Sequence, residues 1–136
     1  MSLRLEDDAM CYVCGKKNRL GFRLDFVHEA KCLRAEVVFK KEHQGFKDIV
    51  HGGMLALLLD EMMVNLVWKE GVPAVSAELN VRLKKPTKIG EKVFLEGRLE
   101  REEKRTVHTS ATAKNASGQT LATAAAVCVK IRPNKS

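Results

Sequence analysis

The sequence predicts an α+β fold in which one long apolar helix is wrapped by a curved antiparallel sheet, in the order β-β-α-β-β-β-β. Three observations predict it. Residues 54–68 form the one long unbroken apolar run of the chain. They carry Asp60 and Glu61 near the middle and Asn65 further on, yet are apolar almost all round, so such a helix must be covered on most sides. The stretches before and after it alternate apolar and polar residues one by one, the mark of half-buried antiparallel strands. A strongly curved sheet covers a single greasy helix. With 136 residues there is room for one domain, expected over residues 1–136, its first 20 residues irregular.

The elements follow in order. A first strand is expected over residues 21–28, with Phe22, Leu24 and Phe26 on one face. After a turn at His28, Glu29 and Ala30, a second covers 31–39. Leu33, Ala35, Val37 and Phe39 face one way, and Cys32, Arg34 and Glu36 the other. Residues 40–50 read as a polar loop. The helix spans 53–69 and is stopped by Gly71 and Pro73. Strand 74–85 puts Val75, Ala77, Leu79, Val81 and Leu83 toward the helix, with Ser76, Glu78, Asn80, Arg82 and Lys84 opposite. Strand 92–101 turns Val93, Leu95, Gly97 and Leu99 inward. Strands 106–114 and 120–132 complete the sheet, joined by a turn at Ser117-Gly118.

Composition removes several function classes. The chain is 45% apolar and 30% charged, as a soluble core-forming protein is. The apolar run is too short and too acidic to span a membrane, and the acidic first residues show no signal peptide, so a cytoplasmic protein is expected. Its four cysteines, Cys11, Cys14, Cys32 and Cys128, then read as free thiols. The net charge is +7, but the basic residues are scattered and aromatic content is 5%, which argues against nucleic acid. A structural zinc wants four ligands, and Cys11-x-x-Cys14 is a lone pair that His43 or a second chain would have to complete. No metal or organic cofactor is expected.

The chemistry concentrates at His51-Gly52-Gly53, directly before the helix. Two glycines bare the backbone amides, and a helix start aims unpaired N–H groups and the positive end of its dipole forward. Such a place suits a carbonyl oxygen becoming an oxyanion. Asp60, nine residues after His51, is a carboxylate inside a greasy helix, costly unless something uses it.

At this point the residues resemble a known family. Val50-His51-Gly52-Gly53-Met54 running into Leu59-Asp60-Glu61, with Leu79-Asn80-Val81, Pro86 and Gly90, looks like a hotdog-fold acyl-CoA thioesterase of the phenylacetate-pathway type. The opening Cys11-x-x-Cys14-Gly15, with Asn18 and Gly21, looks like the subset that begins with a C-x-x-C-G segment. The resemblance covers nearly the whole chain. It implies a homodimer whose two sheets join edge to edge, alone or paired into a homotetramer, with two acyl-CoA sites at the interface. It implies that Asp60, usually supplied by the partner subunit, activates water or attacks the thioester directly. It implies an oxyanion hole at Gly53, with Gly52 behind it, and a shaping role for His51. Ser76 falls where relatives carry a Ser or Thr that orients water.

Relatives often have Asn or Gln six residues before the histidine; here that position is Gly45, with Gln44 and His43 as substitutes for substrate binding. Glu61 lies 100° further round the helix and is expected to meet a partner group. Arg82, Lys84 and Lys85 are candidates for the phosphates of coenzyme A, or else plain solvated surface. Two rivals stay open: a non-catalytic acyl-CoA-binding module on the same scaffold, and a basic regulatory protein. A hotdog hydratase would need an Asp…His pair at a different spacing, which is absent.

Overall fold

The computed structural model describes residues 5–131. Arg132, the expected end of the last strand, lies outside the described residues. The strands are β1 (Val27–Glu29), β2 (Cys32–Val38), β3 (Ala74–Leu83), β4 (Lys92–Glu102), β5 (Thr106–Asn115) and β6 (Thr120–Lys130). The helix α1 spans Gly52–Lys69, and a single 3-10 turn covers Lys41–His43. One antiparallel sheet runs β1-β2-β4-β5-β6-β3 in space, so β1 and β3 are its edges. One long helix against a curved six-stranded antiparallel sheet is the hotdog arrangement.

Helix α1 exists because its residues have somewhere to go. Leu55, Leu58, Leu59, Met62, Met63, Leu66 and Val67 are all buried against the sheet and its flanking loops. Seven such side chains contribute on the order of 10–20 kcal/mol before the entropy of ordering is subtracted. Gly97 of β4 lets the two layers meet, since a Cβ there would stand 2.6 Å from the Met62 carbonyl oxygen. The helix ends as its glycine requires, with Gly71 at φ +88° and its N–H donating to the Trp68 carbonyl.

Three expectations need correction. The first strand shrinks to Val27–Glu29. Upstream, the Phe22 and Leu24 N–H groups donate to the Tyr12 and Val13 carbonyls instead, and Arg23 takes a positive φ. The alternation there was real, since Leu24 is buried and Phe22 and Phe26 pack on the core, but its backbone partner is the N-terminal loop. That loop is part of the core: Val13 is 1% exposed.

The second correction concerns β3. Alternation set Val75 and Ala77 on the face of Leu79, Val81 and Leu83. A bulge between Ser76 and Glu78 resets the parity. Ser76 sits opposite Cys128, while Leu79, Val81 and Leu83 sit opposite Ala126, Ala124 and Ala122, all on the buried face of β6. Ser76 therefore joins the helix-side face, and Val75 leaves it. As an edge strand β3 is also largely open, with Leu79 44% and Leu83 57% exposed. Cys32, assigned by alternation beside Arg34 and Glu36, is buried.

Candidate active site

The helix start is built by a loop turned back on itself. Gln44 and Val50 form an antiparallel bridge, the His51 N–H donates to the His43 carbonyl, and the Val50 N–H donates to Thr87. Gly45 lies against His51: a Cβ there would meet the His51 Cα and Cδ2 at 3.4 Å. His51 is the N-cap of α1, and its Nδ1 accepts the Gly53 N–H at 2.9 Å. That fixes the imidazole and occupies the Gly53 donor. The Met54 N–H donates to the His51 carbonyl. Among the described residues, the Gly52 N–H has no partner. It lies at the positive end of the helix dipole. Gly52 packs against Leu83, whose Cδ1 would be 2.5 Å from a Cβ on that glycine.

Asp60 occupies a different quarter. It is half-buried, and its Oδ1 is enclosed with no hydrogen-bond partner among the described residues. Burial pushes its carboxyl above the usual carboxylate range; the Ser76 hydroxyl pulls it back and Glu61 pushes it further up. The bulge in β3 is what brings Ser76 to it. Cys128, opposite Ser76, is near enough that Asp60 helps burial to raise its thiol. Sequence reasoning missed Cys128 here, because its place depends on the register between β3 and β6. An enclosed carboxylate with an unsatisfied oxygen and a neighbouring hydroxyl can hold and orient a water or take its proton.

The remaining candidates divide. Lys84 and Lys85 follow Leu83, and both backbone N–H groups donate to Leu121, which puts them at the same end of the molecule as Gly52. Arg82, opposite Thr123, stands on the face of the sheet opposite to that of Leu83. Gln44 spends its Oε1 on the Asp48 N–H at 3.0 Å, closing its own loop. The His43 ring stacks on Phe22 at 4.5 Å, and its Nδ1 accepts the Lys40 N–H. It borders a cavity of about 990 Å³ lined also by Tyr12, Phe22, Val38 and Phe94, which includes neither Gly52 nor Asp60. Glu61 turns toward the N-terminal loop, where it accepts from Asn65 at 2.9 Å and from the Cys11 thiol at 3.7 Å. Burial, with Glu61 beside it, drives the Cys14 thiol well up.

Residues 47–122, which hold both Gly52 and Asp60, match the Thioesterase superfamily. The chain belongs to that superfamily. It is 34% identical to mouse acyl-coenzyme A thioesterase THEM4 over 93 residues, which is 68% of this chain and 40% of that protein. It is 30% identical to human acyl-coenzyme A thioesterase 13 over 90 residues, 64% of each. The chain thus spans less than two thirds of the length of these relatives. Two solved structures share its fold. A Streptococcus mutans protein bound to acetyl-CoA superposes with a TM-score of 0.79 at 20% identity, covering 88% of this chain and 98% of that one. The PaaI protein of the Escherichia coli phenylacetic acid degradation operon gives 0.77 at 16%, covering 83% and 84%. With both structures the likeness is one of fold.

Proposed function

We propose that this superfamily member hydrolyses acyl-CoA thioesters to a carboxylic acid and free CoA. The observation that carries it is the Asp60 carboxylate: enclosed, unsatisfied at Oδ1, and beside the Ser76 hydroxyl. Asp60 acts as general base on water, or as nucleophile, and Ser76 helps orient the attacking group. The open Gly52 N–H receives the oxyanion, while His51 holds the turn and keeps Gly53 engaged. CoA leaves as thiol or thiolate, and the chemistry needs no metal or organic cofactor. Lys84 and Lys85 attract the CoA phosphates.

The same geometry asks for a second copy. Asp60 is eight residues along α1 from Gly52, about 12 Å at the helical rise, too far for both to serve one carbonyl. A homodimer, alone or paired into a tetramer, completes the site with Gly52 of one subunit and Asp60 of another. The exposed apolar residues of edge strand β3 fit such a contact. Among the described residues no helix is long and apolar enough to cross a membrane. The four cysteines are free, which suits a cytoplasmic location.

The test is thiol release from short, medium, long and aryl acyl-CoAs by the native chain and by Asp60→Asn. Loss of a positioned general base lowers kcat roughly 100- to 10,000-fold. Since burial already disfavours the Asp60 charge, the variant keeps or raises its melting temperature. Turnover that survives in the variant refutes the role of Asp60. Saturable binding of CoA esters without turnover by the native chain replaces the hydrolase with the binding module, which Gly45 in place of Asn or Gln favours.

A further inference from the structure

We propose that Cys11, Cys14 and Glu61 hold a divalent metal ion of the zinc class that clamps the N-terminal loop onto α1. Their ligand atoms all lie within 4.8 Å of one another, and all three residues are partly buried. In a tetrahedral zinc site, with Zn–S near 2.3 Å, sulfurs stand about 3.8 Å apart, so closing on an ion needs only a small contraction. His43, which with a second chain was one of the two completions open to the pair, is stacked on Phe22 instead. Glu61 of the central helix takes its place.

The loop is built to present the pair. At Gly15 the chain folds back on itself, its N–H donating to the Cys11 carbonyl at 2.8 Å. A Cβ there would stand 2.4 Å from the Cys11 nitrogen and 2.5 Å from the Ala9 oxygen, so only glycine closes the C-x-x-C-G turn. Val13 between the cysteines and Leu24 beyond them are buried in the core and anchor the loop over the helix. The ligands are thus held in place by packing, as a metal site requires.

Charge points the same way. Among the described residues no Lys, Arg or His pairs with Glu61; its contacts are Asn65 and the Cys11 thiol. A partly buried carboxylate facing two thiols calls for a cation, because buried charges are paired or bind metals. Soft sulfur ligands select zinc over magnesium or calcium. Asn65 reaches both Glu61 and the Cys14 sulfur, at 2.9 and 3.9 Å, so its amide oxygen, after a flip, or a water takes the fourth place. Binding balances as one metal(II) ion plus two thiols and a carboxylate, giving a bis-thiolate carboxylate complex and two released protons. The role is structural, one residue from Asp60 but on another face of α1.

The experiment titrates the full, reduced chain with cobalt(II), follows thiolate-to-cobalt charge transfer in the near ultraviolet, and counts released protons. One equivalent of cobalt with the charge-transfer band, displaced by zinc, supports the site. Cys11→Ser and Cys14→Ser lose the band, and Glu61→Gln keeps the fold but binds at least tenfold more weakly. The idea is overturned if the native chain, its thiols shown free by titration, gives no such band. It is equally overturned if binding persists in the double Cys11→Ser, Cys14→Ser variant, or if the native pair is recovered only as a disulfide that reductant cannot open for cobalt.

Discussion

Gly97→Ala tests whether the layer contact beneath the candidate site is as tight as the geometry states. The new Cβ would stand 2.6 Å from the Met62 carbonyl oxygen, 3.0 Å from its carbon and 3.4 Å from the Met62 Cβ. Ordinary contacts settle near 3.5 Å, so α1 or β4 must retreat by about 1 Å. Overpacking costs about 1–3 kcal/mol when side chains can yield; here the obstacle is helix backbone, so the upper end, about 3 kcal/mol, applies. For a chain of this size that lowers the melting temperature by roughly 12 °C. Met62 is two residues from Asp60, and a misplacement of about 1 Å costs roughly 100-fold in rate. Thermal unfolding by circular dichroism and thiol release from an acyl-CoA measure the two effects. Gly118→Ala is the control: its φ is +81° but its surroundings are open, so it loses about 1 kcal/mol and no activity. The reasoning fails if Gly97→Ala melts within about 2 °C of the native chain with kcat/KM unchanged.

Two further outcomes are expected beside the Asp60 test. Reversing both Lys84 and Lys85 to Glu raises KM for acyl-CoA roughly tenfold, with kcat held, and the effect fades as salt rises; an unmoved KM makes them plain surface. Burial holds the His43 imidazole below its ordinary value of 6.5, helped by Lys40 and opposed by Glu42. With the folded pKa below the unfolded one, the unfolded chain takes the proton first as pH falls. Stability is full above about pH 6.5 and declines from there through the folded pKa. His43→Phe keeps the stack on Phe22 but removes this decline, which denaturant melts between pH 4.5 and 7.5 would read; a variant with the native slope would assign the acid sensitivity elsewhere.

The sequence alone determined the element order, the single central helix and its end at Gly71, because apolar periodicity and glycine placement are local properties. It also singled out the His51-Gly52-Gly53 turn and Asp60, because a bare helix start and a carboxylate in an apolar run are visible without contacts. What it could not decide depends on pairing. The bulge at Ala77 shifts one strand by one residue, and with it Ser76 changes face and meets Asp60; no local signal marks that. Which glycine amide stays open was settled by the direction of one imidazole, since His51 caps Gly53 and leaves Gly52. The N-terminal loop read as irregular, yet Val13 lies in the core and Cys11 and Cys14 meet Glu61, fifty residues on. Alternation reports which residues prefer burial. Only the tertiary structure assigns their partners, because register and loop closure are collective properties of the packed chain.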